Sequence, residues 1–111
     1  MPRYRLIMLS QAQAGREEEF ERWYDETHIP EMLQVPGFIA AQRFRTALNV
    51  IGKTPYPFCT IYELEADSAK AAAGAMFGAM QSGQVTTSDL LDPANGQGFL
   101  CEEVRERVTR T

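Results

Sequence analysis

The chain has 111 residues, 44% apolar and 23% charged, with a net charge of −4. That is one domain of ordinary globular composition, long enough to bury a core without disulfide or metal staples. The acidic balance and the absence of a basic run leave no electrostatic attraction to nucleic acid or an anionic membrane, and no apolar stretch approaches the ~20 residues of a membrane span.

In chain order, RYRLIMLS (3–10) reads as a strand. It makes the N-terminus too strand-like for a secretory signal, so a cytoplasmic protein with reduced thiols is expected. A helix follows over 15–28. Phe20, Trp23, Tyr24, Thr27 and His28 recur at i, i+3, i+4, i+7 and i+8, one face of a 3.6-residue period. The glutamates of its first turn suit the positive end of the helix dipole. Pro30 disfavours helical backbone at Ile29 and starts a new turn, PEML. VPGF then turns the chain into a second strand, FIAAQRFRT (38–46). A third strand is FCTIYELE (58–65).

The second helix spans 68–82, capped by Asp67 or Ser68. Its apolar face is Ala69, Ala72, Ala73, Met76, Phe77 and Met80. Gly74 and Gly78 each cost ~1 kcal/mol against alanine. Either they admit a close second backbone, or this is a thin alanine-rich surface helix. NGQG (95–98) is a turn without the strand-turn-helix context of a phosphate loop. A weaker fourth strand is GFLCEEVR (98–105).

The order is βαββαβ. The expected fold is α+β and ferredoxin-like: a four-stranded antiparallel sheet, order 4-1-3-2, with both helices on one face, as a single domain over 1–111. Strand alternation places Tyr4, Leu6, Met8, Ser10, Phe38, Ala40, Gln42, Phe44, Phe58, Thr60, Tyr62 and Leu64 under the helices. The alternate set is apolar in its middle and charged at the strand ends, where Arg43 or Arg45 is expected to pair with Glu63 or Glu65. A solvated sheet face should be polar, so the apolar middle predicts a homodimer through the open face. Cys59 and Cys101 fall on strands two steps (~9.6 Å) apart, beyond disulfide reach, so free thiols are expected.

GREEEFERWYDETHIPEMLQVPGFIAAQRFR (15–45) resembles the dimeric α/β-barrel superfamily and, within it, the EthD-like proteins. The resemblance lies in the aromatic pair Trp23-Tyr24, His28 four residues on, Pro30, and Pro36-Gly37-Phe38 entering a strand. DLLDPA (89–94) also resembles the connector before the last strand of such proteins. The resemblance implies a cavity for a small, mostly apolar ligand. It implies no single activity, because the superfamily includes monooxygenases, lactone isomerases, cyclases, decarboxylases and haem enzymes.

His28 is the only histidine. At a helix C-terminus the dipole raises its pKa while burial lowers it, and a value near neutrality suits proton transfer. It either ties the helix end to a backbone carbonyl, or acts as general acid or base with Tyr24 beside it. Asp25 either orients the ring or faces water. A metal site needs several convergent ligands, and none is expected; nothing favours a haem or any other cofactor. Tyr4, Gln42, Thr60 and Tyr62 are the polar side chains on the helix-facing side, and they either satisfy one another or orient a carbonyl or phenol. The methionines read as core filler.

The functional expectation is cofactor-free isomerase, cyclase or lyase chemistry on a small apolar oxygenated substrate such as a lactone, phenol or polyketide-like compound. His28 is its catalytic residue, and Tyr24, Trp23, Tyr4, Gln42, Phe44 and Tyr62 are its substrate-binding residues. The alternatives are a cofactor-independent monooxygenase and a non-catalytic ligand-binding or structural dimer module.

Overall fold

Four strands build one antiparallel sheet in the order β2-β3-β1-β4. They are β1 (Arg3–Ser10), β2 (Phe38–Arg45), β3 (Phe58–Glu65) and β4 (Gln97–Glu102). The computed structural model describes residues 1–90 and 96–111. Most of the DLLDPA connector and the first residue of the NGQG turn lie outside the described residues. No helix among the described residues is long and apolar enough to cross a membrane.

β1 and β3 pair along their full length, Arg3 opposite Glu65 through Ser10 opposite Phe58. Their common face buries Tyr4, Leu6, Ser10, Thr60, Tyr62 and Leu64, each under a tenth exposed. β4 pairs with β1 from Leu9–Gln97 to Tyr4–Glu102 and ends three residues short of the expected span. β1 separates Cys59 from Cys101, and both thiols are free.

β2 departs from simple alternation. Phe38 lies opposite Leu64, but Ala40, not Ile39, is opposite Glu63. The extra residue is a β-bulge, and a one-residue slip turns every later side chain to the other face. Ala41 and Arg43 therefore share the helix-side face with Tyr62 and Thr60, while Gln42 and Phe44 join Ile61 and Cys59 on the open face. The expected orientations of Gln42, Phe44, Ala41 and Arg43 are all corrected. So is the charge pairing: Glu63 bonds Arg5 at 3.0 Å and Glu65 bonds Arg3 at 3.2 Å.

The helices are α1 (Glu17–Trp23), a π-helical turn (Tyr24–His28), α2 (Ile29–Met32) and α3 (Ala69–Ser82). The first three run on without a break. Ser68 caps α3, its Oγ accepting from the Ala71 N–H at 3.0 Å, and left-handed Gly83 (φ +83°) ends it. α3 buries Ala72 and Ala79, while Ala69 and Phe77 of the expected apolar face are exposed. Gly74 and Gly78 admit no close backbone, because an added Cβ at either would have nothing within 4 Å. One core cluster joins the sheet to Met32, Val35, Ala72, Ala79 and Val85; another joins Phe20, Tyr24 and Leu90.

Gly37 and Gly78 should respond oppositely to alanine. Gly37 has φ +93°, and a Cβ there would collide with the Glu65 carbonyl oxygen. Gly37→Ala should cost at least about 2 kcal/mol by urea unfolding, whereas Gly78→Ala should gain roughly 0.5–1 kcal/mol.

Candidate active site

His28 sits on the π-helical turn. Proline inside a helix removes one hydrogen bond and crowds the carbonyl four residues earlier. Here the chain stays helical through Ile29 (φ −61°, ψ −48°) despite Pro30, and the Ile29 N–H reaches back five residues to the Tyr24 carbonyl. We attribute the wider turn to Pro30, since it makes room around the Glu26 carbonyl without breaking the helix. The expected helix end at His28 is thus corrected. In an α-helix, residues five apart point about 140° away from each other. The π turn brings such a pair together: Trp23 and His28 stack, centroids 4.7 Å apart and planes 25° apart. Tyr24 meets the imidazole edge-on at 4.9 Å.

Arg43 locks this turn to the sheet. Its Nη2 donates to Glu21 at 2.9 Å, and its Nη1 donates to Glu21 at 3.1 Å and to Asp25 at 2.9 Å. The guanidinium lies 4.6 Å from the Tyr24 ring centroid and 5.3 Å from that of Phe58. Burial pushes the Arg43 pKa down, but the bonds to Glu21 and Asp25 outweigh it and the net shift is upward. Asp25 thus serves Arg43 and makes no bond to His28. α2 is tied on its other side: Glu31 accepts from the Thr86 hydroxyl at 2.7 Å and the Thr86 N–H at 3.1 Å.

Between these elements and β1 lies a cavity of about 550 Å³ lined by Met8, Ser10, Gln13, Trp23, His28, Met80, Thr86, Thr87, Ser88, Asp89 and Gly98, among others. A second space of about 390 Å³ lies under α3, lined by Leu6, Met8, His28, Met32, Tyr62, Met76, Met80, Gly98 and Leu100, among others. His28 borders both. Trp23 reaches the first space and Tyr62 the second. Of the other expected ligand contacts, Tyr24 touches His28 from the core and Tyr4 is buried in the core, and neither lines these two spaces. Gln42 and Phe44 line a separate hollow on the open face, removed by the bulge.

Ser10, Gln13, Met80 and the Thr86–Ser88 segment went unrecognised as site residues. Alternation already turned Ser10 inward, but Thr86–Ser88 has no periodicity to mark it. Among the described residues, no group of three or more His, Cys, Asp or Glu is arranged to hold a metal.

Burial depresses the His28 pKa to about 4, with Glu31 pulling it partly back. The imidazole is therefore neutral at neutral pH, and the near-neutral value expected from the helix dipole is corrected, since the helix does not end there. Burial, followed by the nearby Tyr24 phenol, pushes the Tyr62 phenol above its ordinary range. Ser10 Oγ, His28 Nδ1, Arg43 Nε and Thr60 Oγ1 are enclosed without a hydrogen-bond partner, and Tyr62 Oη has none beyond the neighbouring Tyr24 phenol. Each such atom costs about 1–3 kcal/mol.

Acid should expose the histidine's burial. From pH 6.5 down to about 4 the unfolded chain protonates His28 while the folded protein does not, so stability falls as pH falls through that window. Between about pH 7 and pH 4.5 this group alone should remove roughly 2 kcal/mol. His28→Gln should lose correspondingly less than the parent protein in urea unfolding at those two pH values.

No protein-family model and no curated protein matches the sequence. Solved structures do match its fold. An ethyl tert-butyl ether D (EthD) family protein of Bacillus halodurans is 19% identical, with TM-score 0.60 over 92% of this chain and 99% of that one. A putative monooxygenase of Shewanella loihica is 20% identical, with TM-score 0.61 over 99% and 97%. A putative antibiotic biosynthesis monooxygenase of Nitrosomonas europaea is 16% identical, with TM-score 0.58 over 92% and 90%. The chain has the same ferredoxin-like α+β fold as these EthD-family and monooxygenase-like proteins.

Proposed function

We propose that the chain is a small-molecule enzyme of the EthD-like type. It would perform cofactor-free proton transfer (isomerisation, cyclisation or elimination) on a small apolar oxygenated substrate such as a lactone, phenol or polyketide-like compound. The observation that carries this reading is an imidazole that borders both cavities and that burial keeps neutral. His28 acts as the base: already unprotonated, it accepts a proton from the substrate and returns it. Its low basicity suits acidic protons, those beside a carbonyl or on a phenol. Tyr62, kept protonated by burial, donates a hydrogen bond to the substrate oxygen. Trp23 packs the imidazole and walls the pocket.

A second reading is favoured by the two monooxygenase-like neighbours. In it, the substrate deprotonated by His28 reacts directly with dioxygen. Turnover that proceeds without oxygen uptake, with solvent deuterium entering the product, supports proton transfer; stoichiometric oxygen uptake supports the second reading. In either case His28→Ala should lower kcat/KM about 100- to 10,000-fold. Unchanged turnover in that variant would rule His28 out as the base.

The same proposal includes a cytoplasmic homodimer joined through the open sheet face. Phe44 and Phe99 are each 44% exposed there, flanking Ile7 and Ile61. The Arg5–Glu63 and Arg3–Glu65 pairs lie toward one end of that face. The parent protein should sediment as a dimer, and Ile61→Glu should shift it to monomer with its far-UV circular dichroism intact.

A further inference from the structure

The two cavities meet along Met8, His28, Met80 and Gly98, each of which lines both. They are lobes on either side of this common wall, and both are mainly apolar. Met8 is the member of the wall whose position a neighbour sets. Leu6 and Ser10 flank it on the same face of β1, and Thr60 lies opposite it on β3; all three are under a tenth exposed. Its partner on β4 is Gly98. A Cβ on Gly98 would stand 2.6 Å from the Met8 sulfur and 3.1 Å from its methyl carbon. The thioether therefore rests where a side chain at position 98 would begin. Glycine weakens a strand interior, and it marks places where another group comes close to the backbone. The φ of Gly98 lies outside the left-handed region, so the backbone itself does not require glycine. The group that comes close is the Met8 thioether. A larger residue would push that flexible end off β4. With Leu6, Ser10 and Thr60 packed around it, the open direction is into the lobes.

We infer that Gly98 is a specificity-determining residue: it seats Met8 against β4 and so keeps the lobes joined past His28 for one elongated apolar molecule that fills both. The middle of that molecule lies at the imidazole, with hydrocarbon on each side. This rests on the reading of the cavity as a working site. A molecule extended to one side only leaves the apolar walls of the other lobe uncovered, and covering them with one more ring strengthens binding tenfold or more, on the order of 25 cal/mol per Å². Met8 and Met80 line the junction, and their unbranched thioethers adapt to a ring passing between them.

Three ketones test this. Dibenzyl ketone carries a ring on each side of its carbonyl, its isomer benzhydryl methyl ketone carries both rings on one side, and benzyl methyl ketone carries a single ring. Trp23, the only tryptophan, lines one lobe and stacks on His28, so its fluorescence reports occupancy. In NMR the His28 ring signals report contact with the imidazole and the Met8 methyl signal reports the junction. Dibenzyl ketone should bind at least about tenfold more tightly than either of the others and move all three signals. Gly98→Ala should weaken dibenzyl ketone about tenfold and leave benzyl methyl ketone within about threefold. Adding Met8→Ala, which removes the displaced thioether, should bring dibenzyl ketone back to within about threefold of the parent protein. The isomer comparison uses the parent protein alone, and Gly98→Ala should fold as the parent does, because its Cβ meets the end of a flexible side chain. Equal binding of the two isomers overturns the spanning molecule but leaves the proposed function standing, since a substrate held in one lobe still reaches His28. Equal effects of Gly98→Ala on dibenzyl and benzyl methyl ketone, or no recovery with Met8→Ala, overturn the role of Gly98. If no ketone moves any of the three signals, this inference and the pocket reading beneath the proposed function both fall.

Discussion

The candidate site depends on Arg43. A guanidinium in the middle of a strand, only 13% exposed, is costly to bury unless its charge is met. Glu21 and Asp25 meet it from the helix, and the faces of Tyr24 and Phe58 cover it. This cluster holds the π-helical turn against the sheet, and the turn presents Trp23 and His28 to the cavity. The charge network is thus mechanical: it sets where an aromatic stack sits without itself lining the two lobes around His28.

Two irregularities make that arrangement possible, and each acts locally. The bulge at Ile39 turns Arg43 inward, because one inserted residue inverts the facing of the rest of β2. The π turn ahead of Pro30 stacks His28 on Trp23, because it brings residues five apart to one side. Irregular backbone of this kind is concentrated at functional sites, where it re-aims side chains that regular geometry would leave elsewhere. The cost appears beside it, as enclosed oxygens and two nitrogens, His28 Nδ1 and Arg43 Nε, with no partner. The lower wall, α3, is held mainly by Ala72 and Ala79, and its two glycines contact nothing beyond their own helix. The site is therefore pinned by ion pairs on the Arg43 side and packed through small side chains on the α3 side.

Much of this was legible in the residues alone. Strand composition, helical periodicity and the turn residues Pro36 and Gly37 were enough for four strands, two helical regions and the 4-1-3-2 sheet, because hydrophobic period and turn chemistry are local properties of the chain. The resemblance carried by residues 15–45 pointed to the same fold. His28 was visible as the residue to watch, with Tyr24 one turn before it, because that spacing is local; its stack on Trp23 was not, because residues five apart diverge in a regular helix.

What the sequence could not decide were quantities set by distant neighbours. Whether β2 keeps strict alternation depends on how it pairs with β3, so Gln42 and Phe44 were assigned to the wrong face and Arg43 to the wrong partners. Whether Pro30 ends a helix or widens one turn depends on the packing that holds α2 in place. The protonation of His28 is a balance of dipole, burial and charge, and burial is known only once Trp23, Tyr24 and the sheet have closed around the ring. The Thr86–Ser88 wall carries no periodic signal, and distant contacts bring that segment to the cavity: Glu31, 55 residues from Thr86, accepts its hydroxyl, and Val85 is buried in the core. By itself the sequence determined which elements form and in what order, because those follow from local patterns. Tertiary structure alone decided which side chains meet, because that depends on register and burial.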